Sequence, residues 1–182
     1  MENVSLLSLA TALPSNIVEQ AEAKAKAREL CGGRKELFDR LASVFDNAAI
    51  ARRHTVAPIE WYEGHYGWKE RNRVYLDACD ALFREAAASA IERAGLTPSD
   101  IDGVVTVSTT GIATPSLDAR NGPALGLRAD IRRVPIFGLG CAGGVNGLAT
   151  AARLAGAEPG TRWLFVTIET CSIAIRLDSD DP

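Results

Sequence analysis

One segment, residues 134–148, limits the folds open to this chain more than any other part of the sequence. It reads as a short apolar strand, a glycine-rich turn, a cysteine and then a helix made almost entirely of small residues. Glycines stand at 143, 144 and 147, and each costs about 1 kcal/mol relative to alanine inside a helix. A helix that accepts three glycines is expected to lie close against another backbone. The segment therefore predicts a cysteine held at a bend among tightly packed neighbours.

Cys141 is the candidate nucleophile of this segment. It is expected at the start of the helix, where backbone N–H groups have no partner and the helix dipole is positive, and both favour a thiolate. The alternative is that Cys141 is a small buried apolar residue, as most free cysteines are. The local pattern alone leaves both interpretations open.

Composition excludes several classes of function. A net charge of −3 gives no electrostatic case for nucleic acid, and no apolar run approaches the roughly 18 residues that span a bilayer. The first residues lack the basic and apolar regions of a secretory signal, which predicts a cytoplasmic protein with reduced thiols. The cysteines at 31, 79, 141 and 171 have no CxxC spacing, and the two histidines add no metal pattern, so no metal is expected.

The remaining pattern predicts helices and strands that alternate along the second half of the chain. Predicted strands cover 3–10, 50–56 (a short strand or a bend), 101–108, 131–137 and 163–169, with an edge strand at 173–175. Predicted helices cover 17–30, 35–48, 70–94, 115–125 and 142–155, and an aromatic loop covers 58–67. The long helix carries an apolar stripe of Tyr75, Cys79, Leu82, Phe83, Ala86 and Ala90, so Cys79 is expected in the core. Short alternation of strands and helices is typical of an α/β fold with a mostly parallel sheet and helices on both faces.

Five groups of residues, in order and at matching spacing, resemble the type III polyketide synthases, the family that includes chalcone synthase. The nucleophile segment of that family resembles Gly140-Cys141-Ala142-Gly143-Gly144. The others are Ser108 to Pro115, Leu125 to Arg128 with Arg132 to Val134, Glu169 to Ser172, and Ile50 to His54. The stretches Glu60 to Tyr62 and Trp68 to Asn72 resemble the bacterial alkylpyrone and alkylresorcinol synthases in particular.

The resemblance implies a thiolase-like fold, of which residues 1–182 would form the N-terminal half. Family members have roughly twice this length and contain two similar halves, so the second half is absent from this chain. The family's catalytic histidine and asparagine come from that second half, and neither His54 nor His65 matches the catalytic position. We therefore expect the 182 residues alone to be inactive, and to expose apolar surface where the second half would pack.

The resemblance also implies roles for individual residues. It makes Cys141 the acyl-accepting catalytic residue, and it places Arg52 and Arg53 where the family has basic contacts to coenzyme A, whose phosphates suit guanidinium groups. The expected residues of the substrate cavity are Thr109, Thr110, Thr114, Cys171 and Ala174. Ala174 is small where many relatives carry a bulkier residue, which favours a long cavity and a long acyl starter. Trp61, Tyr62 and Trp68 are expected to pack beneath the aromatic loop.

The function that these matches imply is condensation of an acyl-CoA starter with malonyl-CoA through a cysteine thioester, with loss of carbon dioxide. The expected products are alkylpyrones or alkylresorcinols from fatty acyl-CoA starters. Coenzyme A thioesters would be substrates, no cofactor would be tightly bound, and the enzyme would be a homodimer. Two alternatives stay open: a condensing enzyme resembling ketoacyl-ACP synthase III, and a half-thiolase module that only dimerises.

Overall fold

A computed structural model describes residues 4–31 and 35–175 of the chain. Its strands are β1 (Asn16–Glu19), β2 (Arg52–Thr55), β3 (Gly103–Val107), β4 (Arg132–Ile136) and β5 (Trp163–Thr167). Its α-helices are α1 (Gln20–Leu30), α2 (Lys35–Leu41), α3 (Ser43–Asn47), α4 (Trp68–Arg93), α5 (Leu117–Leu125) and α6 (Gly143–Ala157). Short 3-10 turns cover Ile59–Glu63, Pro98–Asp100, Gly140–Ala142 and Cys171–Ala174.

The chain divides into two compact units. The sheet unit comprises the described residues of Met1–Ala12 together with Tyr75–Thr170. The ribbon unit comprises Leu13–Val74 and the described residues of Cys171–Pro182, and its strands β1 and β2 pair antiparallel, with Val18 opposite Arg53.

The sheet unit is built on three parallel strands in the order β4-β3-β5. All five residues of β3 are buried. Because successive side chains of a strand point to opposite faces, both faces of β3 are covered. Val107 at the end of β3 pairs with Ile136 of β4 and with Thr167 of β5, so the three strands end at one edge. The predicted parallel sheet is confirmed.

Helix α4 carries the predicted core stripe with small changes. Tyr75, Cys79 and Phe83 are almost completely buried, and the stripe continues through Ala87 and Ile91. Positions separated by four residues lie on one face of a helix, which explains the regular spacing. The prediction that Cys79 belongs to the core is confirmed.

Two glycines of α6 let the helix lie directly against the sheet. A Cβ atom at position 147 would lie 2.6 Å from Cγ2 of Val107 and 3.0 Å from Cζ of Phe165. A Cβ at position 143 would lie 2.5 Å from Cγ1 of Val107. At Gly144, by contrast, a Cβ would meet nothing among the described residues within 4 Å. The predicted tight packing is therefore confirmed for Gly143 and Gly147, although the neighbours are side chains of the sheet rather than a second backbone, and it is wrong for Gly144.

The predictions for the first third of the chain needed more correction. Residues 4–10 form no strand and are largely exposed; the segment is held instead by α4, where Ser8 donates to the carbonyl of Ala90 and Arg93 donates to that of Leu9. The predicted helix 17–30 begins only at Gln20, because Asn16–Glu19 pairs with β2. The predicted helix 35–48 is two helices, since the N–H of Phe45 bonds to the carbonyl of Ala42, only three residues earlier.

The predicted edge strand at 173–175 is also wrong. Residues Cys171–Ala174 form a 3-10 turn, and the carbonyls of Ile173 and Ile175 accept hydrogen bonds from the side chain of Arg71. Those two acceptors are thereby used by a side chain rather than by a neighbouring strand.

The glycine contacts predict opposite effects of two alanine substitutions on stability. Gly147→Ala should lower the free energy of unfolding by about 1–3 kcal/mol, because the new methyl group overlaps Val107 and Phe165. Gly144→Ala, the matched control on the same helix, should leave stability unchanged or raise it by up to about 1 kcal/mol. Urea denaturation followed by circular dichroism measures both values. Equal effects of the two substitutions would show that α6 does not lie against the sheet at Gly147.

Candidate active site

The turn between β4 and α6 holds Cys141 at an exposed bend. Gly138 and Gly140 have φ angles of 85° and 53°, a region that favours glycine because other residues are strained there. Cys141 is the middle residue of the 3-10 turn Gly140–Ala142, and α6 begins two residues later. The predicted location of the cysteine, between a strand and the start of a helix, is confirmed. Its thiol is exposed in this structure, so it is not a buried core residue.

Exposed apolar side chains surround this cysteine in the sequence. Phe137, Leu139, Val145 and Leu148 are all at least 42% exposed. Val145 and Leu148 are three residues apart on α6, which is the spacing of one helix face, and Gly143 and Gly147 occupy the buried face. The expectation that the chain exposes apolar surface is therefore confirmed for the start of α6.

Thr109 and Thr110 follow β3 at the same edge of the sheet as Cys141, since β3 and β4 are parallel neighbours. The N–H of Thr110 donates to Oε2 of Glu169 at 2.9 Å, and the hydroxyl of Thr110 accepts the N–H of Thr170 at 3.0 Å. The ends of β3 and β5 are thus joined by side-chain hydrogen bonds. Thr114 lies further along the loop and is exposed.

The Oγ1 atom of Thr109 is buried and has no hydrogen-bond partner among the described residues. A buried hydroxyl without a partner is unfavourable by about 1–3 kcal/mol. The same holds for the hydroxyl of Thr106, so the feature is not particular to the predicted cavity residues.

Tyr75 supports the threonine loop from α4. Its hydroxyl is 2.8 Å from Oγ of Ser108, and its ring lies where a Cβ of Gly111 would stand. Burial raises the pKa of Tyr75 to about 12, although the hydrogen bond with Ser108 opposes this shift. The residue therefore stays neutral and acts as a structural support.

Sequence reasoning missed the supporting roles of Glu169 and Tyr75. A charged residue two positions beyond the end of β5 was a signal for Glu169. For Tyr75 the stripe predicted burial, but nothing in the pattern indicated the contact with Gly111.

The other two predicted cavity residues lie in the ribbon unit. Cys171 and Ala174 are the first and last residues of the 3-10 turn Cys171–Ala174, and both are exposed. Ser172, between them, accepts a hydrogen bond from the hydroxyl of Tyr62 at 2.9 Å. Tyr62 is buried, as predicted for the aromatic loop, whereas Trp68 is 62% exposed, so the packing expected of Trp68 is wrong for the described residues.

Arg52 and Arg53 are neighbours on β2 and therefore point to opposite faces of the ribbon. Arg53 donates through Nε to Oε1 of Gln20 at 2.9 Å and lies 5.8 Å from the ring centre of Phe45. Arg52 is exposed, and its side chain makes no hydrogen bond or ion pair with the described residues. Of the two, Arg52 has the side chain available for an anionic ligand.

All four cysteines are free, but their surroundings differ. Cys79 is fully buried, and this burial raises the pKa of its thiol to about 12, against the opposing hydrogen bond with Thr170. Cys31 is half-buried, and Cys141 and Cys171 are exposed.

Within residues 4–31 and 35–175, no cluster of three or more His, Cys, Asp or Glu side chains could hold a metal ion. The helices of the same part of the chain are too short or too polar to cross a membrane.

Comparison with known proteins identifies the class to which this fold belongs. This chain is similar to the crystal structure of 1,3,6,8-tetrahydroxynaphthalene synthase from Streptomyces coelicolor A3(2), a bacterial type III polyketide synthase. The match covers 94% of this chain and 50% of that one, with a TM-score of 0.84 and 28% identity. This likeness confirms the predicted α/β, thiolase-like fold.

The family model for the chalcone and stilbene synthases, N-terminal domain, matches residues 2–182, and the chain belongs to that family. A 1,3,6,8-tetrahydroxynaphthalene synthase of Streptomyces peucetius is 37% identical over 96% of this chain and 46% of its own length. Type III polyketide synthase C of Arabidopsis thaliana is 31% identical over 94% of this chain and 47% of its own. The chain thus spans about half the length of these relatives.

The geometry predicts an order of reactivity for the four thiols. Iodoacetamide at neutral pH should alkylate Cys141 first, since its thiol is exposed on a turn that leads directly into α6, where N–H groups at the helix start can stabilise the negative charge that develops in the reaction. Cys171 should follow, and buried Cys79 should react last. Peptide mapping by mass spectrometry at short times measures the order.

The control is the chain in concentrated urea, where all four thiols should react at similar rates. Alkylation of Cys171 or Cys31 before Cys141 in the folded chain would contradict the prediction that Cys141 is the most reactive thiol.

Proposed function

We propose that the protein is a type III polyketide synthase in which Cys141 carries the growing acyl chain. The observation that supports this most is the bend at Cys141: positive-φ glycines before it, close-packed glycines after it, and an exposed thiol between them. The family match over residues 2–182 supports the same reading. The proposal extends to residues 1–182 as one N-terminal, thiolase-like domain of the enzyme.

The proposed chemistry begins with transfer of an acyl group. The Cys141 thiolate attacks the thioester carbonyl of an acyl-CoA, a new thioester forms on the cysteine, and the coenzyme A thiolate leaves. Malonyl-CoA then loses carbon dioxide, and the resulting enolate attacks the cysteine-bound thioester, which extends the chain by two carbons and frees Cys141. The groups that stabilise the enolate, worth a few kcal/mol each, are proposed to be the histidine and asparagine of a second thiolase-like half.

Substrate binding is proposed to use both ends of the coenzyme A thioester. Arg52, with Arg53, would contact the phosphates, because a guanidinium fork matches phosphate oxygens. The acyl chain would lie in a cavity lined by Thr109, Thr110, Thr114, Cys171 and Ala174. The position of Thr109 and Thr110 supports this, since they follow β3 at the edge of the sheet where β4 leads into the Cys141 turn. No cofactor would be tightly bound, since coenzyme A would enter only as part of the thioester substrates. The working enzyme would be a cytoplasmic homodimer.

The proposed starters are fatty acyl-CoA thioesters, and the proposed products are alkylpyrones or alkylresorcinols. The support is the small side chain of Ala174 together with the bacterial pattern at residues 60–62 and 68–72. Burial of apolar surface yields about 0.8 kcal/mol per CH₂ group. A tunnel would therefore favour longer starters until it is full.

The test is a starter series with the longest natural protein that carries this sequence. For each acyl-CoA, kcat/KM is measured with malonyl-CoA as extender, and it should rise by up to about tenfold per two added carbons until the cavity is full. Ala174→Phe should shift the optimum to shorter starters, because the larger ring occupies part of the cavity.

Cys141→Ala should abolish turnover, whereas Cys31→Ala, the matched control, should retain it.

Different results would contradict different parts of the proposal. Turnover by Cys141→Ala equal to wild type would remove the cysteine from the mechanism. A profile that does not change with starter length, or that Ala174→Phe leaves unchanged, would remove the fatty starter. An arm with malonyl-CoA alone is the control without an added starter, and turnover there equal to that with the best fatty acyl-CoA would also remove the fatty starter.

A further inference from the structure

The segment 171–175 is held in place by one arginine of the ribbon unit. Arg71, in the first turn of α4, donates through Nη1 to the carbonyl of Ile173 at 2.6 Å and to that of Ile175 at 2.7 Å. Its Nε donates to the carbonyl of Tyr66 at 2.9 Å. One guanidinium therefore connects the aromatic loop to the turn that carries Cys171 and Ala174.

Stacked aromatic rings hold that arginine and add a second attachment. Trp61 stacks on Tyr66 with ring centres 4.5 Å apart, and the Arg71 guanidinium lies 5.8 Å from the centre of the Trp61 ring. Tyr62 meets the edge of Trp61 at 5.1 Å and donates its hydroxyl to Ser172. We call this group, Trp61, Tyr62, Tyr66 and Arg71, the arginine clamp.

We propose that the arginine clamp sets the position of the 171–175 turn and thereby the starter length that the enzyme accepts. Three hydrogen bonds join the clamp to the turn, two to backbone carbonyls and one to Ser172. The contact therefore fixes where the turn lies and leaves the side chains of Cys171 and Ala174 free. Arg71 and Tyr62 are thus positioning residues, which act on the substrate through the turn. This inference rests on the proposed function, since it concerns the cavity wall assigned there.

The contacts require an arginine rather than any cation. A guanidinium presents five N–H donors in a rigid plane, so it can reach three carbonyls and lie over a ring at once. A lysine ammonium, a single point at the end of a flexible chain, cannot reproduce that arrangement. The charge-preserving change Arg71→Lys therefore separates geometry from charge.

The test compares Arg71→Lys and Tyr62→Phe with Arg73→Lys in the longest natural protein that carries this sequence. Arg73 is exposed on the same helix and is the matched control. Hydrogen exchange, followed by mass spectrometry, should become about tenfold faster at the amides of residues 171–175 in Arg71→Lys. The reason is that the turn loses the hydrogen bonds that the guanidinium donates to the carbonyls of Ile173 and Ile175. It should be unchanged in Arg73→Lys.

Enzyme kinetics supply the second readout. In Arg71→Lys, the ratio of kcat/KM between the best starter and a shorter one should fall by about threefold or more, since a loose wall discriminates less between chain lengths. Tyr62→Phe should produce the same change to a smaller extent, and Arg73→Lys none. Tyr62→Phe removes only one hydroxyl, so it decides the matter if Arg71→Lys does not fold.

Faster exchange without a change in the starter ratio would overturn the inference, because the clamp would then be purely structural. Unchanged exchange and an unchanged ratio would overturn it as well. If wild type condenses no starter, the proposed function fails and the specificity role fails with it. If wild type is active and only the ratio is insensitive to the clamp, the proposed function survives and this inference alone is refuted.

Discussion

The close contact between α6 and the sheet determines where everything else in the sheet unit can lie. Gly143 and Gly147 present no side chain to Val107 and Phe165, so the helix lies on β3 and β5 at a distance that no other residue permits. The helix begins beside the end of β3, since its first residue, Gly143, packs against the last residue of that strand, Val107. The connection from β4 then has only the few residues from Phe137 to Ala142 in which to turn, and the positive φ angles of Gly138 and Gly140 make that turn possible.

The same edge of the sheet is organised by polar contacts. Parallel strands end together, and in open α/β sheets ligands bind beyond the carboxyl ends of the strands. Here Glu169 and Thr170 join the end of β5 to Thr110 at the end of β3, and Tyr75 supports the loop from α4. The cysteine turn and the threonine loop are therefore both fixed by the rigid β3, whose residues are all buried. A nucleophile needs such positioning, because small displacements of reacting groups are costly in rate.

Sequence patterns predicted well those elements whose residues face a single environment. The strands β3 and β5 are short apolar runs between turn residues, and α4 has an apolar stripe along one face, so burial alone specifies them. The bend at Cys141 was also predictable, because a glycine-rich turn before a small-residue helix has few other uses. The strand expected at 3–10 failed because an apolar run becomes a strand only where a neighbouring strand accepts its hydrogen bonds.

Features that depend on distant partners could not be read from the pattern. Asn16–Glu19 is a strand because β2 pairs with it, and the pairing overrides the helix that the pattern predicts from residue 17 onward. The turn at 171–174 depends on Arg71, which is about a hundred residues away in the sequence. The openness around Gly144 likewise depends on which face of α6 meets the sheet, and the three glycines alone could not distinguish the faces.

The most direct test of the account is to trap the acyl group on the protein. The longest natural protein that carries this sequence is incubated with a fatty acyl-CoA in the absence of malonyl-CoA, quenched in acid and analysed by intact and peptide mass spectrometry. The account predicts one acyl group per chain, attached as a thioester to Cys141 and released by hydroxylamine. An adduct on Cys171 or Cys31, or no adduct on a folded protein that binds coenzyme A, would contradict it.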